Sequence, residues 1–527
     1  MGGNESNKLM KGALLLTLAG IISKVLSAGY RIPLQNLTGD IGFYIYQQVY
    51  PLLGMAMVLG LYGFPSAISK LTVDLRAEGK EVSLRNFYKP VFIILAGINV
   101  ALFLLVYLSA HSLALLVGDM NLVATYQNAA FIFLLIPLTA LLRGVFQGSN
   151  EMKPTAYSQI GEQSIRVFII IFAAVLVAEQ GSNIYHIGEA AGIASIGGAL
   201  MAILILGLFV RKSKPPLGEK SAIPWKYYGR TVFIFGIVAA MNHMILLVIQ
   251  FADAFTLVPG LMEHGRSKLE AMQDKGIFDR GQPLIQLGTV LGSSFALALI
   301  PTISKQKLQS DLGTFYPYIQ GAIAFSFYLA AGATIGLIMI LPEANVLLYK
   351  DASGTMTLQI LAIAIFLSSI VITASSILQG MGYIKRTAGF IIGAFLIKWA
   401  ANFVLVPLWG ITGSAVATVI SLIVLGFMVF MELQRKLPGL HFFKKVNGWA
   451  FLKASLGMIS YIVVIDYLLP GELLSRMALL CYISFVAITG AMIYLLLLLR
   501  FRAFTEEELS MLPFAAVLIR VHKGRDK

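Results

Sequence analysis

Residues 90–110 read PVFIILAGINVALFLLVYLSA, without an acidic or basic side chain in the run. As an α-helix, at about 1.5 Å per residue, this stretch is roughly 30 Å long, the thickness of the hydrocarbon core of a bilayer. In water such a helix has no polar face to present; in lipid it satisfies its backbone hydrogen bonds internally. A window of about 20 apolar residues, carried outward from this run, finds fourteen spans: 10–33, 41–68, 90–110, 121–148, 156–178, 185–210, 229–255, 283–304, 314–340, 355–381, 388–406, 409–432, 448–469 and 474–498. The first apolar run contains Lys24, has no small-x-small cleavage site and is followed closely by another span. It reads as a retained helix rather than a signal peptide.

Composition agrees. Of 527 residues, 58% are hydrophobic and 13% charged, with mean hydropathy +0.81. A soluble domain carries about 25% charged residues, so the expected class is an all-α integral membrane protein. An even number of spans puts both termini on one side. With both inside, 30 of the 40 basic residues fall in cytoplasmic segments, Arg143 and Lys153 among them, and five in outer loops. That asymmetry is the positive-inside pattern, expected of a bacterial cytoplasmic membrane protein. It accounts for the net charge of +14 by attraction to anionic inner-leaflet lipids, without nucleic acid. The basic tail 503–527 is expected to lie as an anchor at the cytoplasmic interface.

Cys481 is the single cysteine, the six histidines are scattered, and no HExxH, Walker A or GxSxG pattern occurs. Metal catalysis and ATP hydrolysis have no support. The expectation is a carrier, not an enzyme, with no cofactor, driven by membrane potential or an ion gradient.

The chain also repeats. Phe64-Pro65-Ser66-Ala67-Ile68-Ser69-Lys70 returns as Ile300-Pro301-Thr302-Ile303-Ser304-Lys305. Gln147-Gly148, Lys153 and Ala156 match Gln379-Gly380, Lys385 and Ala388 at an offset of 232, which also carries Arg166 onto Lys398. Two parallel six-helix bundles, 1–212 and 213–436, are therefore expected, followed by an extra helix pair and tail at 437–527. A pseudo-two-fold arrangement of this kind places a substrate between the halves.

The segments Tyr30-Arg31-Ile32-Pro33-Leu34, Gly63-Phe64-Pro65-Ser66-Ala67-Ile68-Ser69-Lys70-Leu71 and Phe278-Asp279-Arg280-Gly281-Gln282-Pro283-Leu284 resemble the polysaccharide-biosynthesis branch of the multidrug/oligosaccharidyl-lipid/polysaccharide exporter superfamily. The likeness is to stage V sporulation protein B-like and MurJ-like proteins and runs through the whole chain. It implies two bundles in a V shape and a helix pair contributing a groove for a polyprenyl tail. It further implies flipping of an undecaprenyl-pyrophosphate-linked saccharide by alternating access, with cell-envelope synthesis enzymes as partners. The arginines that MurJ-like proteins carry inside the second and eighth spans are not matched here: the second span has Gln47 and Gln48, and the eighth has Arg280 only at its mouth.

Charges at mid-bilayer cost about 2.5–3.5 kcal/mol each on insertion scales, so each needs a reason. Lys24 and Arg31, seven residues apart, fall within about 20° on a helical wheel. Arg166 and Lys398 each lie about 15 Å into their helices. Together with Arg280 they are the candidate cationic cavity for a pyrophosphate, which guanidinium forks bind bidentately. Against that, Glu162 lies four residues before Arg166 and suits an intrahelical ion pair, whereas Lys398 has no acidic residue in its own span. Asp253 and Arg31, at the outer ends of repeat-related helices, are expected to close the cavity as a gate. His243, near mid-membrane, is either a proton-responsive group or a packing residue. The competing functions are a cation-coupled drug antiporter of the same superfamily, which would call for an acidic cavity, and a non-transporting scaffold of polysaccharide assembly.

Overall fold

The computed structural model describes residues 2–212, 216–218, 222–299, 312–469, 475–505 and 509. Among them every regular element is helical. In chain order these are α1 (Gly2–Gly29), α2 (Arg31–Val58), a wide π-turn (Leu59–Gly63), α3 (Phe64–Ala77), α4 (Lys89–Val117), α5 (Val123–Ala130) and α6 (Ile136–Gly148). A further π-turn (Leu84–Tyr88) precedes α4; then come α7 (Lys153–Gln180), α8 (His186–Lys212), α9 (Trp225–Arg230), a third π-turn (Thr231–Phe235), α10 (Gly236–His243), α11 (Ile245–Glu263) and α12 (Lys268–Asp279). The chain continues through α13 (Gly281–Leu299), α14 (Leu312–Tyr349), α15 (Thr355–Gly380), α16 (Ile384–Lys436), α17 (Gly448–Leu468) and α18 (Arg476–Arg500).

Eleven continuous helical segments among the described residues are long and apolar enough to cross a membrane. Two of them, Leu15–Ala77 and Ile384–Lys436, each carry two of the spans read from the sequence. Each is interrupted at one glycine with positive φ: Gly39 at φ +67° and Gly410 at φ +57°. Side chains with a Cβ avoid that region, so a glycine lets the chain turn there without strain. The expected eighth span is described as α13; its last residues, with the Ile300–Lys305 motif, lie outside the described residues, as does most of the tail 503–527.

The seventh span is not the single helix that hydropathy suggests. It is broken into α9, a π-turn, α10 and α11, with Met244 at φ −103°, ψ 6° between the last two. Irregular backbone at membrane depth persists only where protein or a water-filled cavity can satisfy it.

Packing divides the chain into two compact units: residues up to Asp279 with Ile384–Ser414, and Arg280–Tyr383 with Ala415–Lys527. These units cut across the sequence repeat. In the first, α7 packs on α8 and α1, α3 on α6, and α12 on α2. In the second, α13, α14 and α15 pack together, and the pair α17–α18 packs on α14 through Tyr328, Ala454, Met458, Tyr494 and Leu498. Tyr494 donates to the Tyr328 carbonyl at 2.9 Å.

Within the first unit the first wide turn meets α10. A Cβ on Gly63 would sit 2.7 Å from the Gly236 carbonyl oxygen and 2.8 Å from Ala240, so the first π-turn and α10 touch backbone to backbone. Gly63→Val is expected to force them apart at an overpacking cost of about 1–3 kcal/mol. Thermal unfolding of the purified protein in detergent checks this; an unchanged melting temperature contradicts the close approach.

Candidate functional site

The sequence stripe on α1 resolves into two environments. Lys24 is exposed and makes no ion pair among the described residues, while Arg31 is fully buried. The Arg31 guanidinium lies 3.8 Å from the centre of the Tyr50 ring and donates from Nη2 to Ser27 Oγ at 3.4 Å. Tyr30 and Tyr46 hydrogen-bond through their hydroxyls, and Tyr46 lies against Tyr50 with ring centres 5.8 Å apart. Arg31 Nε and Nη1 have no acceptor, and no carboxylate pairs with the group among the described residues. A cation over an aromatic face gains about 2 kcal/mol when desolvated, which leaves most of the burial cost uncompensated.

Arg166 enters the same region from α7 and lines a narrow pocket with Tyr30, Tyr46, Tyr50, Met57 and Ser195. Its Nη2 pairs with Glu162 at 3.0 Å, and Nη1 donates to Gln163. Glu162 is also held by Arg143 Nη2 at 2.8 Å. Arg143, counted in the sequence with the cytoplasmic basic residues, is buried on α6 and donates to Ser158 Oγ at 3.0 Å and the Gly60 carbonyl at 3.5 Å. One carboxylate thus serves two guanidinia, and the group carries a net positive charge.

Lys398 is a different case. Its own span holds no acid, but α11 supplies one: Asp253 Oδ1 lies 2.7 Å from Lys398 Nζ, and both side chains are buried. Lys398 also donates to Ser414 O and Oγ, at 2.7 and 2.8 Å. Asp253 Oδ1 further accepts from Asn402 Nδ2 and Ser414 Oγ, at 2.9 and 2.8 Å. The expected Arg31–Asp253 gate is therefore not the pairing present; Asp253 is already engaged by Lys398, a shorter reach within one packed cluster. Arg280 is likewise not a free cation. It is buried in the second unit, donates to both Asp351 oxygens at 2.8 Å and lies 5.3 Å from the Tyr349 ring centre. Of the five cations read as a cavity, the structure brings Arg31 and Arg166 around the tyrosines and leaves Lys24 accessible. It pairs the other two elsewhere.

His243 ends α10 and is exposed. Its ring stacks on Tyr62 with centres 4.2 Å apart, and Lys24 is close enough to act on it electrostatically. No group of three or more His, Cys, Asp or Glu is arranged for a metal among the described residues.

The described structure is thus a set of long, membrane-length helices, two of them broken at glycines, with an interrupted seventh span and several buried cations. Solved structures of similar fold include a Lipid II flippase MurJ in an inward closed conformation, with TM-score 0.64, 16% identity and coverage of 91% of this chain and 98% of that one. A multidrug resistance MATE family transporter of the MOP superfamily, inward-facing, matches with TM-score 0.60 at 11% identity, covering 82% and 98%. At these identities the likenesses show a shared fold. Residues 9–307 match the family model described as polysaccharide biosynthesis protein, and the chain belongs to that family. From Bacillus subtilis (strain 168), "Uncharacterized membrane protein YabM" is 36% identical across 100% of this chain and 98% of its own length. Lipid II flippase MurJ of that organism is 24% identical, covering 82% and 83%, and its Stage V sporulation protein B is 23% identical, covering 97% and 98%.

Two outcomes follow from the pairing. Lys398→Met strands a buried carboxylate and is expected to destabilise by about 3–5 kcal/mol, whereas adding Asp253→Leu recovers most of that loss; a double-mutant cycle of melting temperatures decides it. Asp351 is held down to about 2 by the hydrogen bonds from Arg280, against an ordinary value of 3.8. A depressed carboxyl stabilises the fold above its unfolded value and loses that contribution as pH falls towards the folded one. The melting-temperature gap between wild type and Asp351→Asn should be constant above about pH 5 and shrink towards pH 2.

Proposed function

We propose that the protein is a flippase for an undecaprenyl-pyrophosphate-linked saccharide, a precursor of peptidoglycan or another envelope polysaccharide, moved across the cytoplasmic membrane by alternating access. The observation that carries this reading is the surplus of positive charge in the first unit. Among the described residues Arg31 is buried without a carboxylate partner, Lys24 makes no ion pair, and Glu162 neutralises only one of its two arginines. A diphosphate supplies the acceptors that Arg31 Nε and Nη1 lack, through charge-assisted hydrogen bonds. The name of one relative, Lipid II flippase MurJ, supports the same substrate class.

The antiporter reading rests on the MATE-like fold. It is disfavoured by the sign of the charge, since a cationic drug requires an acidic cavity. Both termini are placed in the cytoplasm by the basic loops, and anionic inner-leaflet lipids fit that orientation. Because the bound headgroup and the cavity carry opposite charges, membrane potential, at about 2.3 kcal/mol per charge per 100 mV, is available to reset the empty carrier.

Reconstitution into vesicles with an undecaprenyl-pyrophosphate-linked disaccharide tests the reading. Lys24→Ala, Arg31→Met and Arg166→Met are each expected to slow flipping about tenfold or more, the equivalent of one charged hydrogen bond. Equal rates in wild type and all three variants would remove the cationic-cavity argument.

A further inference from the structure

A second cluster borders α1 at Gly20, about three helical turns before Arg31, and nothing in the diphosphate reading uses it. Tyr62 sits on the π-turn Leu59–Gly63; such wide turns displace a side chain from the regular helical path and recur at functional sites. The turn is tied in place by Arg143 on the Gly60 carbonyl and by the glycine contact with α10. That contact brings His243, the last residue of α10, face to face with Tyr62 at an interplanar angle of 14°. From α7, Gln159 Nε2 reaches within 3.5 Å of the Tyr62 hydroxyl. A Cβ on Gly20 of α1 would lie 3.8 Å from that hydroxyl and 3.9 Å from Gln159 Nε2, so α1 borders the same spot.

Three features of this cluster point to a ligand. Gln159 is buried with Oε1 unpartnered, and Asn242 Oδ1, beside His243, is buried and unpartnered as well. His243 is exposed and neither ring nitrogen has a hydrogen-bond partner among the described residues. The helix also breaks immediately after it, at Met244, and interrupted helices mark binding sites in carriers. Buried polar groups without partners are costly unless something supplies the missing bond.

We infer that Tyr62, His243 and Gln159 form a sugar subsite, separate from the arginine–tyrosine pocket, that binds the pyranose next to the diphosphate. This rests on the lipid-linked reading of the preceding section. The pyranose lays its apolar CH face on the imidazole face turned away from Tyr62, and its hydroxyls donate to Gln159 Oε1 and bond the free imidazole nitrogens. Lys24 of α1, between Gly20 and Arg31 in the chain, holds the phosphate side of the glycosidic link.

The test measures dissociation constants of the full-length protein in nanodiscs for two probes, undecaprenyl pyrophosphate and undecaprenyl-pyrophosphate-linked N-acetylhexosamine. In Gln159→Leu and His243→Leu the preference for the sugar-bearing probe should fall about tenfold, the loss of one hydrogen bond to a buried group. Tyr62→Phe, which keeps the ring stack and removes only the hydroxyl, should lower it by less. Arg31→Met should weaken both probes together and leave the preference intact. Folded variants that keep the wild-type preference overturn the sugar subsite while the flippase reading stands. Failure of the wild type to bind either probe overturns both.

Discussion

Glu162 is a single buried carboxylate held between Arg143 and Arg166, and the character of the interior follows from that shortage of negative charge. In a low-dielectric interior a cation needs a counter-charge or a compensating set of dipoles. The other buried acids of the first unit each have a lysine partner: Asp253 is held by Lys398, Asp279 by Lys275 and Asp119 by Lys268. What remains is one uncompensated guanidinium in the Glu162 triad, Arg31 against Tyr50, and Lys24 in the open. The interior is thus built with a standing demand for anionic oxygen.

The backbone carries a matching set of irregularities. Three π-turns among the described residues, at Leu59–Gly63, Leu84–Tyr88 and Thr231–Phe235, and the break at Met244 all fall in the first unit. Regular helices bury their carbonyls; a widened turn frees one, and at Gly60 Arg143 reaches it. The same arginine that shares Glu162 therefore also holds the turn carrying Tyr62. Charge distribution and ring placement are coupled through one side chain, which links the diphosphate end of the proposed site to its sugar end.

The two acid–base pairs outside this region have a different role. Lys398–Asp253 with Asn402 and Ser414 joins α11 to both halves of α16 around the Gly410 bend. Arg280–Asp351 with Tyr349 closes the loop between α14 and α15 onto the start of α13. Arg280 meets both Asp351 oxygens, and Asp253 Oδ1 takes three donors, although Asp253 Oδ2 has no hydrogen-bond partner among the described residues. They hold helices together and are not free to receive a ligand.

Hydropathy alone determined that the chain crosses a membrane many times, because a run such as 90–110 has one stable solvent, and span limits follow from bilayer thickness. It also located the turns at Gly39 and near Gly410, where apolar runs adjoin. Arg166 with Glu162 was legible at i, i+4 spacing, since helical geometry fixes those neighbours. The partner of Lys398, the burial of Arg143 and the stack of His243 on Tyr62 were not legible. Asp253 and Lys398 are 145 positions apart in the sequence, and only packing decides which helices meet. The broken seventh span was hidden for the related reason that hydropathy measures composition, while Met244 leaves the helix because of what surrounds it. Composition and local spacing choose the solvent and the helices; long-range contacts choose which charges are cancelled and which are left to bind.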